Sequence, residues 1–321
     1  MTSRPLQAPI HAPFRSAVSR AMRASAVIAA IAISAITLSG CAAVGEPTPS
    51  ASSNGKLRVV ASISNWADIA KQIGGDLADV TAIVSDPNKD PHSYEATPRD
   101  QLAVNQADLV VANGLGYDDF ATKMVAASND KNKLFNIGTS LHWATMMTRG
   151  PNPHIWFNLP MVNQATQLLS AKFSALDPKN ASTYDANAAA FMAELGKVMD
   201  QQAGLAKITK GYKYFATEPI ADELLNGAGF IDVTPKAFSD AIENETDVPP
   251  AAMQASLELI KNHQIDYLVL NQQTSNAQVE KLVSAARDAE VRTVLFSELL
   301  PERLTYIEWM TANLKTLNPG M

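Results

Sequence analysis

Between Asn158 and Ile208 the chain carries no strand signal, and this gap constrains the fold more than any other feature. Asp177-Pro178 divides it, because proline ends a helix and biases its predecessor away from helical backbone. The first half, Pro160–Leu176, reads as one helical stretch. In the second half, from about Asn180, the larger residues are Tyr184, Phe191, Leu195, Val198 and Leu205, with Ala188 between them. Their steps alternate near three and four, which puts them on one helix face. Gly196 is the only Gly or Pro from Ala181 to Gln202, so the spacing predicts a single long helix.

On both sides of the gap, strands alternate with helices. Before it, strand patterns fall at Leu57–Ser62, Val80–Val84, Asp108–Ala112 and Lys133–Ile137. Helical ones fall at Asn65–Ile73, Arg99–Gln106 and Asp118–Ala127. After it, strands are expected at Tyr212–Ala216, Phe230–Val233, Asp266–Leu270 and Arg292–Phe296, and helices at Ile220–Leu225, Pro249–Asn262, Ala277–Ala289 and Arg303–Leu317. Such alternation means a parallel sheet covered on both faces. The reading is an α/β protein: two parallel-sheet lobes, residues 56–158 and 211–321, joined through residues 159–210 by one long rigid helix. No sequence repeat relates the two lobes.

Ahead of the first lobe lies an address. Arg4, Arg15, Arg20 and Arg23 precede the first acidic residue, Glu46, and an apolar run from Ala24 to about Ser39 ends in Leu38-Ser39-Gly40-Cys41. A basic start, an apolar middle and small residues at the cut describe a secretory signal peptide over residues 1–40. A membrane-spanning helix would need about 20 apolar residues, more than this run supplies. The tetrad resembles a bacterial lipobox, which implies cleavage before Cys41 and acylation of its thiol; the competing reading is an ordinary secretory signal. Cys41 is the only cysteine, so an internal disulfide and a cysteine-based zinc site are both excluded. Residues 41–55, rich in Pro, Ser, Ala and Thr, read as a flexible tether. Without the four leader arginines the formal charge moves from −6 to −10. That acidity speaks against nucleic acid, whose phosphates call for a basic surface, and mildly favours cations.

Four histidines remain: His92, His142, His154 and His263. His92 lies in Asp90-Pro91-His92-Ser93-Tyr94-Glu95 and His154 in Asn152-Pro153-His154-Ile155-Trp156. Each follows a proline in a loop expected to leave a strand, and a stiff loop holds an imidazole at small ordering cost. Glu218 follows the strand Tyr212–Ala216, and Glu298 follows Arg292–Phe296. In open α/β sheets, ligands bind beyond the carboxyl ends of the strands. Each Glu also fits a bland role as a favourable charge at a helix N-terminus. His142 reads as a loop residue, and His263 as a cation closing a helix.

Three segments in order, DPHSYEATPRD, ADLVVANGLGYDDF and NPHIWFNLPMV, resemble the substrate-binding lipoproteins of zinc- and manganese-type ABC importers, the cluster A-I or cluster 9 metal-binding family. The resemblance covers nearly all of the chain beyond the leader. It implies two α/β lobes, a linking helix and a metal site between the lobes, with His92 and His154 from the first lobe. Glu218 stands where the family has His or Glu, and Glu298 where it usually has Asp. Asn152 stands where the second motif usually has Asp, and the His-rich acidic loop of many zinc-type members is missing.

The expected function is therefore capture of one divalent transition-metal ion, Mn2+ or Zn2+, outside the cell membrane. A monomer anchored through Cys41 would deliver the ion to the membrane permease of an ABC importer, with no nucleic acid involved. Two carboxylates neutralise a doubly charged ion, which removes most of the cost of burying it. If one or both glutamates bind through both oxygens, coordination rises to five or six and tilts the cargo towards manganese. The alternatives are a secreted zinc hydrolase, which would need an open ligand position and a base, and a surface adhesin, which would need a host-facing patch.

Overall fold

The computed structural model describes residues 55–145, 152–243 and 246–320; the leader, Cys41 and the tether as far as Asn54 lie outside them. The first lobe runs β1 (Leu57–Ile63), α1 (Ser64–Gly74), β2 (Ala78–Val84), α2 (Pro98–Gln106), β3 (Leu109–Ala112), α3 (Asp119–Ala126), β4 (Leu134–Asn136) and the single turn α4 (Ile137–Ser140). Its strands lie in the order β2-β1-β3-β4, all parallel. Every residue of β3 is buried, the continuous apolar run expected of a strand covered on both faces.

Helix α5 (Leu159–Leu176) and helix α6 (Ala181–Thr209) follow. Asn158 caps α5 by accepting from the Met161 amide. The Asp177 carboxylate closes the bend between the two helices, accepting from Asn180 and from the Tyr184 hydroxyl at 2.7 and 2.8 Å. Helix α6 has 29 residues, about 43 Å at 1.5 Å per residue. Tyr184, Ala188, Phe191, Leu195, Val198 and Leu205 are all buried along it, the face that the spacing predicted. Each of the large ones contributes roughly 1.5–3 kcal/mol of burial before chain entropy is charged against it.

The second lobe comprises β5 (Lys213–Ala216), α7 (Asp222–Gly227), β6 (Ile231–Asp232), α8 (Lys236–Glu243), α9 (Pro250–Lys261), β7 (Tyr267–Asn271), α10 (Ala277–Asp288), β8 (Arg292–Phe296) and α11 (Tyr306–Thr316). Its sheet is again parallel, in the order β6-β5-β7-β8. The two sheets thus share one strand order although no sequence repeat relates them.

Two differences from the sequence reading have physical causes. Helix α11 starts at Tyr306 rather than Arg303 because Thr305 and Glu308 form a reciprocal capping box. Helix α8 has no counterpart in the sequence pattern: it is eight residues long, and its stability comes from burying Phe238 and Ala241 in a cluster with Phe215, Ile260 and Leu268, a tertiary effect that local pattern does not carry.

One apolar cluster joins Val59 of the first lobe, Leu195 of α6, and Tyr214 and Phe296 of the second lobe. The chain end returns to the first lobe: the Tyr306 amide donates to Asp68 of α1 at 2.9 Å, and its buried hydroxyl donates to the Trp156 carbonyl. The lobes therefore share packing as well as a linker.

Candidate metal centre

His92 sits in the loop between β2 and α2. The Asp90 side chain accepts from the His92 amide at 2.9 Å. Downstream, Asp100 Oδ2 collects the Tyr94 hydroxyl, the Thr97 amide and the Thr97 hydroxyl at 2.8, 2.7 and 2.7 Å. The same Asp100 completes the capping box that starts α2. The Tyr, Thr and Asp of DPHSYEATPRD therefore brace the loop, and His92 is the residue presented by it. Its ring packs edge-on against Tyr117, centroids 4.6 Å apart.

Tyr117 owes its place to the turn after β3. The buried Asp118 carboxylate accepts from the amides of Asn113 and Gly114, folding the chain back on itself. Gly114 and Gly116 take φ of +86° and +84°, where glycine carries no side-chain penalty. A Cβ on Gly114 would also fall 2.3 Å from the Asn136 side chain. Asn113 holds the second histidine loop, donating to the Pro153 carbonyl at 2.8 Å while accepting from Trp66 at 3.0 Å.

His154 is buried. Its Nδ1 lies 2.7 Å from Asn152 Oδ1, a bond that selects the tautomer whose Nε2 is free to ligate. The amide of Asn152 also donates to the Pro219 carbonyl of the second lobe at 2.7 Å. An aspartate could orient His154 but could not make that donor bond. The departure from the family's usual residue thus ties the His154 loop to the backbone beside Glu218.

Both glutamates lie two residues beyond a strand end, Glu218 after β5 and Glu298 after β8. Glu218 Oε2 accepts from Asn271 Nδ2 at 2.6 Å and from the Thr274 hydroxyl at 2.8 Å. The same Asn271 nitrogen is 2.8 Å from Glu298 Oε1. Glu298 Oε2 accepts from the Tyr117 hydroxyl at 2.9 Å. Helix α7 begins at Asp222, so Glu218 is not a helix N-terminal charge.

The structure brings all four predicted residues together. One ligating atom from each of His92, His154, Glu218 and Glu298 lies within 4.8 Å of the others. His154 Nε2 is 3.2 Å from Glu298 Oε1, and His92 Nε2 is 3.8 Å from both Glu298 Oε1 and Glu218 Oε1. A tetrahedral ion with bonds of about 2.0–2.1 Å has ligand atoms about 3.3 Å apart, so the cage is already near the size needed. His92 is the exposed member, its side chain 28% accessible against 0% for Glu298. His142 and His263 are not part of the cluster.

Electrostatics fit a cation. Burial alone would lower His92, but Glu298 and Glu218 outweigh it and push the imidazole up to about 9. Burial would raise Glu298, yet the facing imidazoles hold it well below the usual carboxylate range. Glu218 moves up, through burial and then the Glu298 charge. Burial and the same charge raise the Tyr117 hydroxyl well above its ordinary range, so it stays a donor. The sequence reading does not reach Asn271, Thr274 and Tyr117, which hold the glutamates, and it marks Asn152 only as a departure from the motif. Asn271 closes a strand, so the rule that located the glutamates applied to it as well.

Residues 59–320 match the family described as zinc-uptake complex component A, periplasmic (ZnuA). The chain belongs to this family. The manganese ABC transporter substrate-binding lipoprotein PsaA of Streptococcus pneumoniae is 27% identical over 311 residues, covering 92% of this chain and 98% of PsaA. The iron ABC transporter substrate-binding lipoprotein MtsA of Streptococcus pyogenes serotype M1 is 29% identical over 240 residues, 71% of this chain and 75% of MtsA. The periplasmic zinc-binding protein TroA of Treponema pallidum shares the fold, with a TM-score of 0.70 at 18% identity over 82% of this chain and 98% of TroA. ZnuA-family proteins are solute-binding components of metal importers and not enzymes, so the hydrolase alternative falls.

Proposed function

We propose that the mature protein is held at the outer face of the cell membrane by lipid on Cys41. There it captures one divalent transition-metal ion with His92, His154, Glu218 and Glu298, and as a monomer passes the ion to the permease of an ABC importer. The observation that carries this reading is the convergence of two imidazoles and two carboxylates, from four distant parts of the chain and both lobes, within 4.8 Å. Two carboxylates match the ion's charge, and imidazole with carboxylate suits first-row divalent metals. The cargo is manganese or zinc; zinc binds at least as tightly in the test tube, because the Irving–Williams order places it above manganese.

The test is transport. Deleting the gene lowers cellular zinc or manganese when that metal is limiting; wild type restores it, and His154→Ala does not. Unchanged content of both metals in the deletion strain would refute the import role. Cys41→Ser releases the protein from the membrane fraction; a variant that stays bound with its leader intact would refute the lipid anchor.

A further inference from the structure

We infer that hydrogen bonds fill the far oxygen of Glu218 and orient that of Glu298, so that each carboxylate presents one oxygen to the metal. This makes Tyr117 and Thr274 positioning residues that set a four-coordinate site and favour zinc over manganese. The inference rests on the metal-capture reading above and reverses the tilt towards manganese that two-oxygen binding by both glutamates would give.

The two ends of each carboxylate are used differently. Glu218 Oε2 accepts two bonds, from Asn271 and Thr274, and a carboxylate oxygen has two lone pairs. Its Oε1 is the atom 3.8 Å from His92 Nε2. In Glu298 the roles are named the other way round. Oε1 is the atom 3.2 Å from His154 Nε2 and 3.8 Å from His92 Nε2, and it accepts a bond from Asn271 at 2.8 Å. Oε2 is held by the Tyr117 hydroxyl at 2.9 Å.

The donors are themselves fixed. Asn271 Oδ1 accepts from the Gln273 amide at 3.0 Å, which sets which end of the side chain faces the glutamates. Tyr117 is buried and wedged edge-on between the His92 and Trp156 rings, centroids 4.6 and 5.0 Å away. For Glu218 to bind through both oxygens, one of its two bonds must break inside a buried site, where an unmade bond is costly; in Glu298 the single Tyr117 bond fixes which way the carboxylate is turned. Two nitrogens and two single oxygens make four ligands, the number zinc prefers. Manganese favours higher, oxygen-rich coordination.

Co2+ is the probe, because its visible bands are intense in four-coordinate sites and weak in six-coordinate ones. Metal-stripped wild type loaded with one equivalent of Co2+ gives the intense spectrum. Tyr117→Phe and Thr274→Val each weaken it, and the double variant does so most; Thr274→Ser, which keeps the hydroxyl, retains it. In Zn2+/Mn2+ competition, zinc preference falls by about tenfold in the double variant, the scale expected for loss of an outer contact to a ligand. Thr274 is only half-buried, so Thr274→Val and Thr274→Ser carry the test alone if Tyr117→Phe does not fold. A weak wild-type spectrum, or variants that bind stoichiometrically with unchanged spectrum and preference, would overturn the lock while leaving metal capture standing. A wild type that takes up neither Co2+ nor Zn2+ would overturn metal capture and the lock with it.

Discussion

His154 Nε2 stands 3.2 Å from Glu298 Oε1, although 144 residues separate them and they belong to different lobes. An ion between them therefore ties together both lobes. The contact exists only in the folded chain, so an ion bound there stabilises the fold by mass action.

That stabilisation is the first expected outcome. At a free-ion concentration 100-fold above the dissociation constant, metal adds about 2.7 kcal/mol, and the melting temperature rises accordingly. His154→Ala and Glu298→Ala abolish the rise and weaken binding by more than the roughly 10–100-fold that loss of an outer contact costs. Calorimetric titration and thermal melts with and without Zn2+ check both; a His154→Ala protein that keeps one tight equivalent would remove His154 from the shell.

The second concerns pH. Glu298 and Glu218 overcome burial to push His92 up to about 9. A raised imidazole stabilises the metal-free fold fully below its unfolded value of 6.5, and that contribution fades as pH rises towards about 9. A ligating imidazole must lose its proton. Between these limits, metal affinity therefore climbs as pH rises, by about tenfold per unit for one proton released. Titrations in buffers of different ionisation enthalpy count that proton; affinity independent of pH across the window would contradict the assignment.

The third concerns the clasp between the lobes. Gln273 Nε2 donates to the Pro87 carbonyl in the His92 loop at 2.6 Å and to Ser297 at 2.9 Å, while its Oε1 accepts from the Glu298 amide at 2.9 Å. One side chain thus links the loop of the exposed His92 to the backbone of the fully buried Glu298. Gln273→Leu leaves the Glu298 amide without this acceptor, costs about 1–3 kcal/mol of stability, and speeds metal release to a chelator in stopped flow. Release at the wild-type rate would show that the clasp does not restrain the loop.

Much of this architecture was legible in the sequence because it is written in local periodicity. The α6 stripe from Tyr184 to Leu205 and the buried runs of β1 and β3 are patterns within single elements. His92 and His154 stand out because each follows a proline in a loop, and Glu218 and Glu298 because they trail strand ends, but it is the family resemblance that singles out the four as one set. The supports were not. Asn271, Thr274 and Tyr117 are ordinary polar residues until the lobes close on them. The bond from Tyr117 to Glu298 spans 181 positions, a pairing that no window along the chain contains. Asn152 is instructive: the sequence marked it as a departure, and only the structure reveals the second bond, to Pro219, that an amide can make.

Capture of one ion by two imidazoles and two carboxylates drawn from both lobes is tested most directly by X-ray absorption at the zinc edge of the metal-loaded protein. The expected result is one zinc per chain with four nitrogen or oxygen neighbours at about 2.0–2.1 Å, two of them giving the outer-shell scattering of imidazole. Substoichiometric zinc, or a shell of six light atoms without imidazole scattering, would contradict it.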